Sequence, residues 1–176
     1  VKNIYAVGDC NGIALLSHAA MHQGMLALMN ALNPIPGFGL KHNKYPVPWS
    51  VFTKPEVAFV GLSEKELKKR NIKYMVIKEN YEDYGRTIAD GHPEGFVKVF
   101  ASPGGKIYGV SIIGEAASEL IQEWTLAIQK KIRLFDIMMT QHSFPTISLM
   151  NKRIGEKWMM GKVKASWIQK IIRLLV

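Results

Sequence analysis

The stretch Gly95–Gly114, "GFVKVFASPGGKIYGVSIIG", constrains the fold of this chain more than any other. Residues 95–102 and 107–114 are runs rich in β-branched and aromatic side chains, and "PGGK" between them supplies the permissive glycines of a tight turn. A lone hairpin is marginal in water, so the pair has to sit inside a larger sheet. Directly after it, residues 115–131, "EAASELIQEWTLAIQKK", put Ala117, Leu120, Ile121, Trp124 and Ile128 on one helical face. Strands followed by a helix with one apolar face predict an α+β fold, an antiparallel sheet with helices on one side.

The flanking sequence extends this pattern. "WSVFT" and "VAFVGLS" read as strand pieces, and "SEKE" is a capping box with Ser63 at the N-cap and Glu66 three residues on, opening a helix to about Asn71. "KYMVIKE" (73–79) reads as a strand and "LFDIMM" as a short helix. Upstream, "NIYAVG" (3–8) reads as a strand ending in Gly8-Asp9, and 13–32 as a long helix, together half of a βα unit. Between them and the sheet, residues 33–49 carry four prolines and two glycines, which marks a linker. Three parts are expected: 1–44, a terminal strand–helix piece of an α/β domain; 45–150, the α+β domain; and 151–176, a basic C-terminal helix.

Composition narrows the function classes. With 48% hydrophobic and 21% charged residues the chain is globular. One cysteine, Cys10, excludes an internal disulfide, a CxxC pair and a cysteine-rich metal site within this chain, and fits a reducing, cytoplasmic setting. Cys10 reads as a small buried residue. The sequence begins with Val1, already inside a strand-like run, so a fragment or processed chain is expected. No signal-peptide core and no apolar run of roughly 20 residues is visible. Net charge is +9, of which residues 151–176 hold +6 (seven Lys/Arg against Glu156). The basic character therefore belongs to the tail, and no aromatic–basic interleaving on the strands suggests nucleic acid. In that tail Met160, Val163, Trp167, Ile168, Ile171, Ile172 and Leu175 share one helical face, with Lys157, Lys162, Lys170 and Arg173 opposite. A helix over 160–176 can lie on an anionic membrane surface or pack on its own domain or a partner.

Two segments carry chemistry. Asp9 stands at the tip of the first strand, where ligands bind in parallel sheets; its carboxylate either accepts from ligand hydroxyls or caps the turn. The next helix points its N-terminus, around Ala14 to Ser17, at the same space, where unpaired N–H groups favour negative charge. The second segment is "HSFPTISL", His142 to Leu149.

"IYAVGD…LLSHAAMHQG", "PWSVFTKPEVAFVGLSEKELKK", "GFVKV…IYGVSIIGEAASELIQEWTLAI" and "HSFPTIS" occur in this order. Over residues 3–150 the chain thereby resembles the C-terminal part of class I pyridine nucleotide-disulfide oxidoreductases, dihydrolipoamide dehydrogenase above all. The resemblance implies that Gly8 and Asp9 form the second FAD motif, with Asp9 on a ribityl hydroxyl. It implies that Leu15, Leu16, Ser17 and His18 meet the flavin through their backbone. The domain from about residue 46 would make a homodimer. A parent protein would pass electrons from NAD(P)H through FAD to an acceptor the sequence does not name, and this chain alone would be inert. The family's acid/base dyad, a His and a Glu in His-x-His-Pro-Thr-x-Ser-Glu, falls on Phe144 and Leu149, neither of which can move a proton. His142 matches the first, non-catalytic His. Two residues of extended chain separate it from the dyad position, roughly 6–7 Å, beyond the reach of a base, so it reads as structural. The family's C-terminal metal-binding cysteine pair is absent from this sequence. The competing class is a non-enzymatic dimerisation or interaction module, membrane-apposed through the tail.

Overall fold

The computed structural model describes residues 4–35 and 38–165, with the side chains of residues 164 and 165 left out. It divides into two compact units, Val1–Val47 and Pro48–Val176.

The second unit is built on a five-stranded sheet: β1 (Trp49–Val51), β2 (Glu56–Gly61), β3 (Met75–Asn80), β4 (Phe96–Ala101) and β5 (Ile107–Gly114). The strand order is β1-β2-β5-β4-β3, and every neighbouring pair is antiparallel. The hairpin read from "PGGK" is the β4–β5 pair, with Lys98 opposite Ser111 and Val99 opposite Val110. Alternation then sorts side chains between the faces. Ala58, Val60, Ile77, Val97, Val99, Val110 and Ile112 are buried on one face. Lys98, on the other, pairs with Glu64 at 3.5 Å.

Helices cover the buried face. α4 (Ala117–Lys130) sets Leu120, Ile121, Trp124 and Ala127 into the core, α5 (Leu134–Met139) adds Leu134 and Ile137, and α6 (Leu149–Ala165) adds Met150, Ile154 and Trp158. Fully burying each large apolar side chain contributes about 1.5–3 kcal/mol relative to exposure. α4 ends where Lys131 turns left-handed (φ 59°) and the Ile132 N–H reaches back to the Ala127 carbonyl. α2 (Glu64–Lys69) opens as the sequence predicts: Glu66 N–H donates to Ser63 Oγ and Ser63 N–H to Glu66 Oε2. A short α3 (Gly85–Ala89) follows β3, and Tyr81, buried just before it, donates its hydroxyl to the Glu115 carbonyl at 3.0 Å.

α6 begins at Leu149, two residues before the expected start of the C-terminal helix. Its first half belongs to the core, and two of its cations meet buried Glu79 on β3: Arg153 Nε at 3.0 Å from Oε1, and Lys157 Nζ against Oε2. Of the face predicted for the amphipathic tail, Trp167 onward lies outside the described residues. Met160 is exposed, and Lys162 Nζ sits over the Trp158 ring at 4.2 Å. Among the described residues no helix is long and apolar enough to cross a membrane.

In the first unit, α1 runs Ser17–Leu32, starting four residues later than the periodicity suggests. Residues 4–7 are not a strand, and Gly8–Asn11 form a single 3-10 turn. Val7 has extended dihedrals (φ −129°, ψ 150°), but no strand lies beside it among the described residues of this unit, and a strand is defined by its partner.

Two predictions follow from the packing. At Gly109 a Cβ would lie 2.1 Å from the Leu62 carbonyl oxygen, beside the Leu62 N–H to Tyr108 carbonyl bond at 2.8 Å. Gly109→Ala should lower stability by about 1–3 kcal/mol, read from urea unfolding by circular dichroism. Burial pushes the Tyr81 hydroxyl well above the usual tyrosine range, with the carboxylates of Glu115 and Glu56 adding to the shift. A raised folded-state value means stability present below the unfolded value, about 10, and lost as pH rises above it. Unfolding midpoints should fall from pH 9 to 11 (about two units around that value), and Tyr81→Phe should flatten the fall.

Candidate functional sites

The Gly8 turn of the first unit hangs on α1. Gln23 is buried, and its Oε1 accepts from the Gly8 N–H at 2.8 Å and from Asn11 Nδ2 at 2.6 Å. Gly8 has φ +77°, and a Cβ there would come 3.1 Å from Ala20 Cβ, so glycine is required for both conformation and approach. Gly12 (φ +69°) closes the turn onto the Asp9 carbonyl at 3.0 Å. Asn11 Oδ1 accepts from Ile13 N–H at 3.0 Å. Gly8 is buried, while Asp9 and Cys10 face solvent; the expected burial of Cys10 is corrected, its Sγ–H donating to the Val7 carbonyl at 3.2 Å from an exposed position. The turn lacks the apolar cover that would enclose so small a side chain.

Leu15, Leu16, Ser17 and His18 straddle the start of α1. Leu16 is the N-cap, and its side chain makes no capping hydrogen bond. Leu15, Ser17 and His18 are exposed and Leu16 half-buried. A groove in the same unit runs past Tyr5, Val7, Ile13, Leu26, Leu40 and His42, and none of the six residues expected at a cofactor lines it.

In the second unit the segment 140–151 is organised by a relay the sequence did not suggest. Asn151, fully buried on α6, accepts from Trp124 Nε1 at 2.7 Å and donates through Nδ2 to Glu123 Oε2 at 2.8 Å. Glu123 holds His142, with Nε2 3.0 Å from Oε1. The other ring nitrogen, Nδ1, lies 3.1 Å from the Thr140 carbonyl. Both nitrogens of His142 are thus engaged within the chain, and its side chain is only 6% exposed. Such a ring has no free nitrogen to offer a substrate. A polar Asn among the apolar positions of α6 was the one signal of this relay in the sequence.

The segment is tied down further along. Thr146 Oγ1 donates to the Ser143 carbonyl at 2.7 Å and lies 2.9 Å from Ser148 Oγ. The Tyr84 hydroxyl donates to the Thr146 carbonyl at 2.8 Å; burial pushes that hydroxyl up, against the lowering pull of Arg153 and Arg86. Phe144 nevertheless is 81% exposed, while Leu149 is half-buried against the core. Among the described residues no group of three or more His, Cys, Asp or Glu is placed to hold a metal.

With this geometry in view, residues 47–153 match the family model "pyridine nucleotide-disulphide oxidoreductase, dimerisation domain". The chain belongs to that family. It is 36% identical over 167 residues to dihydrolipoyl dehydrogenase of Chlamydia pneumoniae, covering 94% of this chain and 34% of that protein. It is 39% identical over 149 residues to dihydrolipoyl dehydrogenase of Buchnera aphidicola subsp. Acyrthosiphon pisum, covering 84% of this chain and 31% of the relative. The crystal structure of LpdA from Mycobacterium tuberculosis superimposes with TM-score 0.78 at 28% identity, over 88% of this chain and 33% of that one. The HOCl-induced flavoprotein disulfide reductase RclA from Escherichia coli shares the fold, with TM-score 0.74 at 17% identity, over 88% of this chain and 34% of that one. The chain spans about a third of the length of the curated relatives it matches.

Asn151→Ala should cost about 2–4 kcal/mol, because it leaves the buried Trp124 N–H without an acceptor and opens a small cavity. Urea titrations followed by tryptophan fluorescence measure the loss, and a cost under about 1 kcal/mol would show the relay to be dispensable.

Proposed function

We propose that this chain supplies part of a flavin site and the homodimer interface of an FAD-dependent, NAD(P)H-linked oxidoreductase of the disulfide reductase family. The carrying observation is the family match across residues 47–153, on a sheet and helical layer of the same fold as LpdA. On this reading residues 1–44 belong to the FAD-binding domain, 45–150 to the dimerisation domain, and 151–176 to a C-terminal helix.

The residues of the first unit fit the cofactor. A helix N-terminus whose N-cap side chain makes no capping bond, a glycine held close against Ala20 and a solvent-facing Asp9 suit an electron-rich ring edge and a hydroxylated chain. Gly8 and Asp9 would take the ribityl chain, and the backbone at Leu15, Leu16, Ser17 and His18 the ring edge. When bound, FAD supplies the electron transfer. The chain's own share is donors that favour the negative charge of the reduced ring.

Phe144 and Leu149, at the positions of the family's His and Glu, give this protein no acid/base dyad. His142 does not replace it, since Glu123 and Thr140 occupy both ring nitrogens. The electron acceptor is therefore one that needs no base from this segment. A second reading, a dimerisation or interaction module without catalysis, draws support from the same two apolar residues. The tail's docking on a membrane surface rests on residues 160–176, mostly outside the described part.

The parent protein tests both. Bound flavin visible in the absorption spectrum, with NAD(P)H oxidised by an artificial dye, is the expected result, whereas a colourless parent that rejects FAD would leave only the module. In that parent, Phe144→His with Leu149→Glu should raise dihydrolipoamide turnover relative to dye reduction by about 100-fold or more.

A further inference from the structure

The register of the sheet brings together, on the face away from α4, residues the sequence keeps apart. Trp49, Phe59, Ser111, Lys98 and Lys78 are paired neighbours across β1, β2, β5, β4 and β3, forming one row. The adjoining row is Val51, Val57, Ile113, Phe96 and Asn80. Neither row holds a carboxylate. A solvated face of an antiparallel sheet is ordinarily polar. Here Trp49 and Val51 are exposed, and Val57, Phe59, Phe96 and Ile113 are only half-buried. The charges are unusual too. Lys78 stands directly opposite Lys98, and like charges so placed destabilise a sheet. Lys78 Nζ rests over the Phe96 ring at 4.6 Å and Lys98 Nζ over the Phe100 ring at 5.0 Å. The chain answers half of this charge itself. α2 brings Glu64 to 3.5 Å from Lys98 Nζ, and Glu64 also accepts from the Tyr74 hydroxyl at 2.9 Å. Among the described residues Lys78 has no carboxylate partner.

We propose that this outer face, beside α2, is a docking surface for a short acidic amphipathic helix of a partner protein. The occupant follows from charge complementarity and from a precedent within the chain. α2 is itself a short helix with a buried leucine, Leu67, and a glutamate turned to a lysine of this face. A second helix of the same kind would lay its apolar side on Val57, Phe59 and Ile113 and meet Lys78 as Glu64 meets Lys98. A nucleic-acid strand fits less well. Phe96, Lys98 and Phe100 do alternate here, but Glu64 already neutralises one of the two cations, which leaves little charge for a phosphate backbone. The proposal stands apart from the flavin site and from the homodimer.

Fluorescence anisotropy tests this with a labelled, stapled helix of about 12 residues, leucines on one side and glutamates on the other. It should bind both the 176-residue chain and the parent protein. Lys78→Glu should weaken binding by about 5- to 10-fold, and a helix carrying lysines in place of the glutamates should bind that variant better than the wild type. Lys78→Glu also removes the like-charge pair with Lys98, so it should not lower the unfolding midpoint. Val57→Asp, which sets a charge in the apolar row, should weaken binding by about 10-fold or more. No binding to the wild type, equal binding of the acidic and basic helices, or a change under about twofold in Lys78→Glu overturns the proposal. A single-stranded oligonucleotide of about 12 nucleotides held more tightly than the acidic helix overturns it in favour of nucleic acid. Binding to the 176-residue chain but not to the parent assigns the face to packing within the parent and overturns the partner.

Discussion

The buried amide of Asn151 is the interaction on which the second unit's helical layer depends. It sits where α4, α6 and the 140–148 segment meet, and its two ends do different work: Oδ1 takes the Trp124 indole hydrogen, and Nδ2 turns the Glu123 carboxylate toward His142. Apolar packing alone would let α6 slide along α4 with modest cost, because dispersion is not directional. A buried donor or acceptor left without a partner costs about 1–3 kcal/mol, so the relay allows one register and penalises the others. The same register sets the backbone that carries Phe144, which is how a core contact comes to determine a surface feature.

Glu79 plays a comparable part between α6 and the sheet. Its carboxylate is 1% exposed, and burying it alone would be prohibitive. Arg153 and Lys157, one turn apart on α6, supply the compensating charge, and Lys157 Nζ also donates to the Lys78 carbonyl at 2.8 Å. Such a pair adds little net stability over an apolar isostere, but it is expensive to break. It therefore acts on α6 as a lock acts, through the cost of the wrong arrangement. Part of the basic charge of residues 151–176 is spent here, inside the unit.

The first unit obeys a different rule. α1 has apolar residues almost all round: Ala19 and Leu26 are buried within the unit, while Met21, Met25, Leu28 and Leu32 are exposed in it. A helix apolar on every side belongs in an interior. That pattern supports the proposal that this unit is one piece of a larger flavin domain, and it explains why residues 4–7 are extended without being a strand. Extended backbone is a local preference, whereas a strand needs a neighbour to complete its hydrogen bonds.

Much of this protein was determined by local sequence. The β4–β5 hairpin, the Ser63–Glu66 capping box and the apolar face of α4 each depend on residues close together in the sequence, and period and turn chemistry reveal such features directly. The tertiary structure alone decided the rest. Asn151 meets Trp124 across 27 residues, Arg153 and Lys157 meet Glu79 across more than 70, and the exposure of Phe144 follows from a loop fixed by Tyr84, 62 residues before its partner Thr146. No periodicity encodes these pairings. They arise because a buried polar group must find a partner wherever the folded chain brings one, and sequence distance has no bearing on which one that is.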